Sequence, residues 1–101
     1  MARKEMRPTE PFGKLLYRAR RRKHLTQAAL GEKIFENLPR RACQVRVSAW
    51  EKGTQLPVAR LLPAIAKATG KEISLVAAAF YASRIIHAMK RAQKDVGHWL
   101  K

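Results

Sequence analysis

The sequence is poor in cysteine, in acidic residues and in long apolar runs. The shortages of cysteine and of apolar runs each exclude a class of protein. Because Cys43 is its one cysteine, the chain cannot form an internal disulfide, which excludes a disulfide-stabilised secreted domain. No segment is long and apolar enough to span a bilayer, and no apolar signal sequence follows the basic residues 1–10. We therefore expect a cytoplasmic protein, since the cytoplasm keeps thiols reduced, with no membrane partner.

The sequence also lacks the residue patterns of catalytic and metal sites. His24, His87, His98 and Cys43 do not have the spacing of metal ligands, so no metal site is predicted. The five glycines do not form a phosphate-binding loop, and the sequence contains no paired carboxylates or nucleophile–base set. We expect that the protein is not an enzyme, and we predict no cofactor.

Positive charge is what the sequence has in excess. Lysine and arginine total 22 against 7 aspartate and glutamate residues, which gives a formal net charge of +15 at pH 7. Such a field attracts polyanions and releases the counterions condensed around them, which favours a nucleic acid as partner. Anionic membranes, acidic proteins and simple solubility are the alternatives, although a membrane-surface peptide would need a long helix with one strongly apolar face.

Apolar residues recur at helical spacing, and no segment alternates with the period of two that a half-buried strand requires. Thr26 is a favourable N-cap, Gly53 is a C-terminal stop, and Ser74 is predicted to cap the last helix. Pro63 must lie near the first turn of its helix, which predicts a late or kinked start. The predicted helices cover residues 12–23, 27–35, 43–52, 59–69 and 75–94.

Some of the helix packing can also be predicted from the sequence. Gly31 costs about 1 kcal/mol relative to alanine inside a helix, so we expect another helix to approach closely there. Val47 and Trp50 have helical spacing and are predicted to face the core. The last predicted helix carries two overlapping apolar stripes, which is wider than one domain face usually needs.

Two groups of residues at defined spacing carry a family resemblance. The first is Leu25-Thr26-Gln27-Ala28-Ala29-Leu30, and the second comprises Gln44, Val47-Ser48, Trp50-Glu51-Lys52-Gly53 and Pro57, followed by Leu61-Leu62, Ile65-Ala66 and Gly70. In these residues the chain resembles the phage-repressor (Cro/cI-like, or XRE) helix-turn-helix family over residues 12–76. The resemblance implies an all-α, compact five-helix, lambda-repressor-like domain with a longer C-terminal helix. Residues 35–41 depart from the family pattern, in which a short turn joins the two helices of the motif.

The resemblance implies a division of the chain and a function. The resemblance suggests a helix-turn-helix DNA-binding domain in residues 12–76. Two prolines and mixed charge predict a flexible basic arm in residues 1–11, and surplus apolar surface predicts that the C-terminal helix and tail, residues 77–101, are a dimerisation element. The implied function is a sequence-specific regulator of transcription, a repressor or autoregulator that binds double-stranded DNA as a homodimer on a palindromic operator. One alternative is an antitoxin that binds both operator DNA and a toxin protein. Another is an RNA- or ribosome-associated cofactor that binds mainly through charge.

The resemblance also assigns roles to individual residues. The predicted third helix corresponds to a recognition helix, whose N-terminal residues meet base edges in the major groove. There Gln44 can contact adenine, Val45 a thymine methyl group and Arg46 guanine. Arg20 and Glu51 occupy positions where the family pairs an arginine with a glutamate, and we interpret them as structural. The predicted phosphate contacts are Gln27, Arg18, Arg21, Arg22, Arg40, Arg41 and Lys52.

Two of these interpretations have an alternative that the sequence leaves open. Arg21 and Arg22 could equally belong to a solvated helix face. The surplus apolar surface of the last helix predicts a dimer surface, but the same residues could instead close the core of the monomer. The residues predicted for the dimer surface are Phe80, Tyr81, Ile85, Met89 and Trp99.

Overall fold

The described part of the chain folds into five α-helices, which confirms the predicted all-α class. The computed structural model describes residues 8–99, with the side chains of residues 8–96. Most of the predicted N-terminal arm, residues 1–7, lies outside this range. The helices are α1 (Pro11–Arg22), α2 (Gln27–Ile34), α3 (Arg40–Lys52), α4 (Leu62–Thr69) and α5 (Ile73–Trp99), with a short 3-10 turn (Ala59–Leu61) before α4. No helix in this part of the chain combines the length and hydropathy needed to cross a membrane.

Each of the five helices contributes large apolar side chains to one core. Val47 and Trp50 of α3 are buried, as predicted, and the Trp50 ring lies 5.7 Å from that of Phe35. The other large side chains of the core are Phe12, Leu16, Leu30, Ile34, Leu62, Ile65, Val76 and Phe80. Each helix packs one apolar stripe into the core, so the core does not require the other sides of α3 to be buried.

The third helix starts at Arg40, three residues before the predicted start at Cys43. The sequence signal for this earlier start is Pro39, because a proline that ends one helix also precedes another favourably. A proline needs no N–H at a helix start, and the Pro39 carbonyl accepts the first helical hydrogen bond, from the Cys43 N–H at 3.0 Å. Arg40 and Arg41 therefore belong to the first turn of α3 rather than to the loop before it.

The start of α5 also differs from the prediction. The helix begins at Ile73, so Ser74 lies inside the first turn and is not its cap. The Glu72 carbonyl accepts the first bonds instead, from Leu75 N–H and Val76 N–H at 3.1 Å each. The late start of α4 is confirmed, because the 3-10 turn precedes it and Pro63 lies in its first turn.

The N-terminus of α1 is held by side chains of α5. The Phe12 N–H donates to Ser83 Oγ at 2.9 Å, and this serine is fully buried. Glu10, which precedes α1, is also buried, and its carboxylate contacts His87 Nε2 at 2.7 Å and Lys90 Nζ at 3.4 Å. Among the described residues, the packing of α5 against the N-terminus of α1 thus includes Glu10, which lies inside the predicted arm.

The close helix approach predicted at Gly31 is confirmed. A Cβ atom added to Gly31 would lie 2.5 Å from the Cβ of Cys43, in α3. Non-bonded carbon atoms do not tolerate that separation, so only glycine lets α2 and α3 pack this closely. The α3 helix then ends at Gly53, whose φ of 78° is the left-handed conformation that glycine adopts at no steric cost.

Candidate nucleic-acid interface

The third helix has one anchored side and one exposed side. Cys43, Val47 and Trp50 are buried against the other helices. The opposite side, which we name the outer face, carries mostly polar or small side chains. The outer face consists of Arg41, Gln44, Val45, Ser48, Ala49 and Lys52, which line one shallow concavity together with Thr54. Val45 is the exposed apolar group at its centre, with 62% of its surface accessible.

The first turn of α2 lies beside this face. Thr26, Gln27 and Ala28 line one wall of a cleft whose other wall includes Gln44 and Ser48. The Thr26 hydroxyl caps α2, since it accepts a hydrogen bond from the Ala29 N–H at 3.0 Å. Other N–H groups of a first helical turn have no partner within the helix, so this wall of the cleft favours an anion.

A buried ion pair holds the three helices around the cleft. Glu51 accepts two hydrogen bonds from Arg20, with Nε–Oε2 at 2.8 Å and Nη2–Oε1 at 3.0 Å, so the predicted structural pair is present. Arg20 Nη1 also donates to the Leu25 carbonyl at 3.0 Å. The Gln27 amide donates to Glu51 Oε1 at 3.3 Å. Gln27 thus lies in the wall of the cleft with its amide nitrogen directed at Glu51, and the phosphate contact expected of it stays a prediction.

The predicted base readers do not all lie on the outer face. Gln44 and Val45 do, whereas Arg46 is rotated about 160° from Gln44 around the helix axis, as two steps of 100° dictate. Its guanidinium carbon lies 5.7 Å from the centre of the Phe35 ring, in the segment that joins α2 to α3. Gln44 and Arg46 are both exposed, but they point to different sides of α3.

The predicted phosphate-contacting residues are divided in the same way. Arg41 and Lys52 lie on the outer face. Arg40 also lines the cleft, and it forms an exposed ion pair with Glu32 of α2. Arg21 lies over the Tyr17 ring at 5.8 Å, and Tyr17 lines the cleft.

Two further arginines of α1 are turned away from α3. Arg18 and Arg22 line a different depression, together with residues from the start of α5. The spacing of charges along α1 did not reveal this division, because it depends on how α1 is rotated against its neighbours. Thr54 is the residue beside the outer face that the sequence did not indicate.

The C-terminal helix exposes an apolar stripe after its packed beginning. Tyr81, Ile85 and Met89 are 47%, 60% and 57% exposed, and Val96 extends the row with 55%. We name these four residues the α5 stripe. Phe80 was predicted for the same surface but is only 2% exposed, because it packs edge-on against Phe12 with ring centres 5.9 Å apart. Phe80 therefore closes the monomer core, and the side chain of Trp99 lies outside the described residues.

Residues 8–96 contain no group of three or more His, Cys, Asp or Glu side chains that could hold a metal ion. Cys43 is buried, and its Sγ lies 3.7 Å from the Leu38 carbonyl oxygen. Comparisons of the chain with protein-family models, with curated proteins and with solved structures found no match.

Proposed function

We propose that the protein is a sequence-specific, double-stranded DNA-binding regulator of transcription that inserts α3 into the major groove. The observation that supports this most strongly is the two-sided character of α3, whose apolar side is anchored while its outer face stays open. The adjacent N-terminus of α2 and the net charge of +15 both favour a polyanion. An operator-binding repressor or autoregulator acts in the cytoplasm, which we propose as its location.

Within this proposal, the outer face divides into base-reading and phosphate-binding groups. Gln44, Val45 and Ser48 stand where base edges would lie, because they occupy the middle of the exposed side. Arg41 and Lys52, at the two ends of the same face, would bind phosphates on either side of the groove. Arg46 lies off this face, so we propose a phosphate contact for it instead of a contact to guanine.

Alanine substitutions separate the two groups. Against a duplex selected from a random pool, Gln44→Ala should weaken binding by about 1–3 kcal/mol and leave binding to unrelated duplexes nearly unchanged. Lys52→Ala should weaken binding to all duplexes alike and lower the slope of log affinity against log salt by about one. Fluorescence anisotropy titrations at several salt concentrations would measure both effects.

The matched control is Lys67→Ala, which removes the same charge from an exposed position of α4 that lines neither concavity around α3. It should leave the affinities and the salt slope close to those of the unmodified protein. Equal losses for Gln44→Ala on selected and unrelated duplexes would contradict the proposed base contact. A preference for RNA over every duplex would favour the charge-driven cofactor instead.

We further propose that the α5 stripe joins two copies of the chain. A single recognition helix reads few base pairs, and dimers of this kind bind half-sites about 34 Å apart. Light scattering at tens of micromolar should give the mass of a dimer, and Ile85→Asp should give a monomer. Lys94→Asp, at an exposed position on the opposite side of α5, should remain dimeric. If the unmodified protein is a monomer, the stripe is available to a different protein, as the antitoxin interpretation predicts.

A further inference from the structure

A second depression lies on the side of α1 that faces away from the cleft. It is formed where α1 meets the start of α5, and we name it the α1–α5 pocket. It is lined by Pro11, Leu15, Leu75 and Ala79, and by Lys14, Arg18, Arg22 and Lys71. None of these residues lines the cleft or the concavity of the outer face. A ligand bound here would therefore not occupy the proposed DNA-binding surface.

The α1–α5 pocket combines an apolar floor with a ring of positive charge. Leu75 is 55% exposed although it lies within the packed part of α5, so its side chain is free to contact a ligand. The four cations of the ring form no ion pair with any carboxylate in the described part of the chain. Like charges brought together in this way repel one another, and an anionic ligand would relieve that repulsion.

The two features together narrow the chemistry of the ligand. A phosphate group would satisfy the cations but would leave Leu15, Leu75 and Ala79 in water. An apolar side chain alone would fill the floor but leave the charges unpaired. We propose that the α1–α5 pocket binds a short acidic segment of a partner protein, in which one large apolar side chain is flanked by aspartate or glutamate residues. Buried apolar anchors commonly supply most of the affinity of such contacts, while the charges supply specificity and a fast association.

A synthetic peptide is the direct probe for this proposal. We would use a fluorescein-labelled peptide of alternating Glu and Ser with one central Phe, and a matched peptide with Gln in place of the Phe. In anisotropy titrations with the full chain, the Phe peptide should bind saturably and about tenfold or more tightly than the Gln peptide, as burial of one aromatic side chain implies. Equal binding of the two peptides would show attraction by net charge alone and would overturn the proposal.

Two pairs of protein variants locate the binding. Leu75→Ser should weaken binding of the Phe peptide about tenfold, whereas Val58→Ser, at a similarly exposed position (56%) outside the pocket, should not. Arg18→Gln should also weaken it, whereas Lys67→Gln in α4 should have a much smaller effect. Both serine substitutions are at exposed positions, and thermal unfolding followed by circular dichroism checks that the fold is kept.

Two other ligands would compete for the same cations, and each gives a distinct result. If Arg18→Gln lowers duplex DNA affinity while Leu75→Ser leaves peptide affinity unchanged, the ring binds DNA phosphates and the proposal is wrong. If phosphatidylglycerol vesicles bind more weakly to Leu75→Ser while the Phe peptide binds no more tightly than the Gln peptide, the ligand is a lipid surface and the proposal is likewise wrong. Loss of peptide binding by Leu75→Ser with unchanged duplex affinity would support the proposal whatever the fate of the DNA-binding function.

Discussion

Glu51→Gln is expected to lower the free energy of unfolding by about 3–5 kcal/mol, the usual cost of removing one partner from a buried ion pair. The Glu51 side chain is 5% exposed and that of Arg20 is 13% exposed, so little water can replace the lost carboxylate. Glutamine keeps the size of the side chain but removes its charge, and it cannot accept both of the Arg20 hydrogen bonds in the same way. Urea denaturation, with the midpoint and the slope fitted separately, would measure the loss.

The chain offers a matched control in its exposed ion pair. Glu32 pairs with Arg40, but these side chains are 45% and 64% exposed, so Glu32→Gln should cost less than about 1 kcal/mol. Added salt should reduce the cost of Glu32→Gln more than the cost of Glu51→Gln, because water and ions screen the exposed pair far more than the buried one. Similar small losses for both variants would mean that Arg20 and Glu51 do not hold α1 against α3.

The residues around this ion pair show which parts of the structure local sequence patterns can predict. The cap at Thr26, the close contact at Gly31 and the burial of Trp50 follow from rules that depend on neighbours within one or two helical turns. The pairing of Arg20 with Glu51 comes instead from a family resemblance. The features at Thr26, Gly31 and Trp50 are set by the short-range spacing of the chain, whereas Arg20 and Glu51 lie 31 residues apart. For that reason the anchored side of α3 and the cap of α2 could be predicted before any coordinates were known.

Features that depend on contacts between distant parts of the chain could not be predicted in this way. The sequence of α5 has two overlapping apolar stripes, and periodicity alone does not show which of them is buried. The choice is made by α1, whose Phe12 packs on Phe80 and donates its N–H to Ser83, 71 residues away. Glu10 likewise gave no signal as one acidic residue in a basic segment, because its partner His87 is 77 residues distant.

The placement of Gln44 and Arg46 on different sides of α3 also depends on contacts that local sequence patterns do not show. Gln44 and Arg46 are close in sequence, and both are exposed, as the sequence predicted. Which of the two shares the outer face depends on how α3 is rotated against α2, and that rotation is set by packing. Phe35, in the segment that departs from the family pattern, offers Arg46 an aromatic ring on the other side of the helix. The segment that joins α2 to α3 therefore contacts Arg46 through Phe35, on the side of α3 away from Gln44.

The contact between α2 and α3 at Gly31 leads to the other prediction of large effect. Gly31→Val is expected to destabilise the protein by about 3 kcal/mol, the upper end of the usual cost of overpacking. The first added carbon would lie 2.5 Å from Cys43 Cβ and 2.9 Å from the Cys43 carbonyl oxygen, and backbone cannot give way as a flexible side chain can. The two helices would have to separate, and the outer face of α3 would move relative to the N-terminus of α2.

Lys33→Val is the control for this prediction, because it introduces valine at an exposed position of the same helix. Its cost should be that of helix propensity alone, less than about 0.7 kcal/mol. Since valine has a better helix propensity than glycine, propensity on its own would make Gly31→Val neutral or stabilising, so the sign of the measured change decides between the two effects. Thermal and urea unfolding of both variants would measure the change in the free energy of unfolding. Equal stabilities of the two variants would show that α2 and α3 can accommodate a larger side chain at this contact.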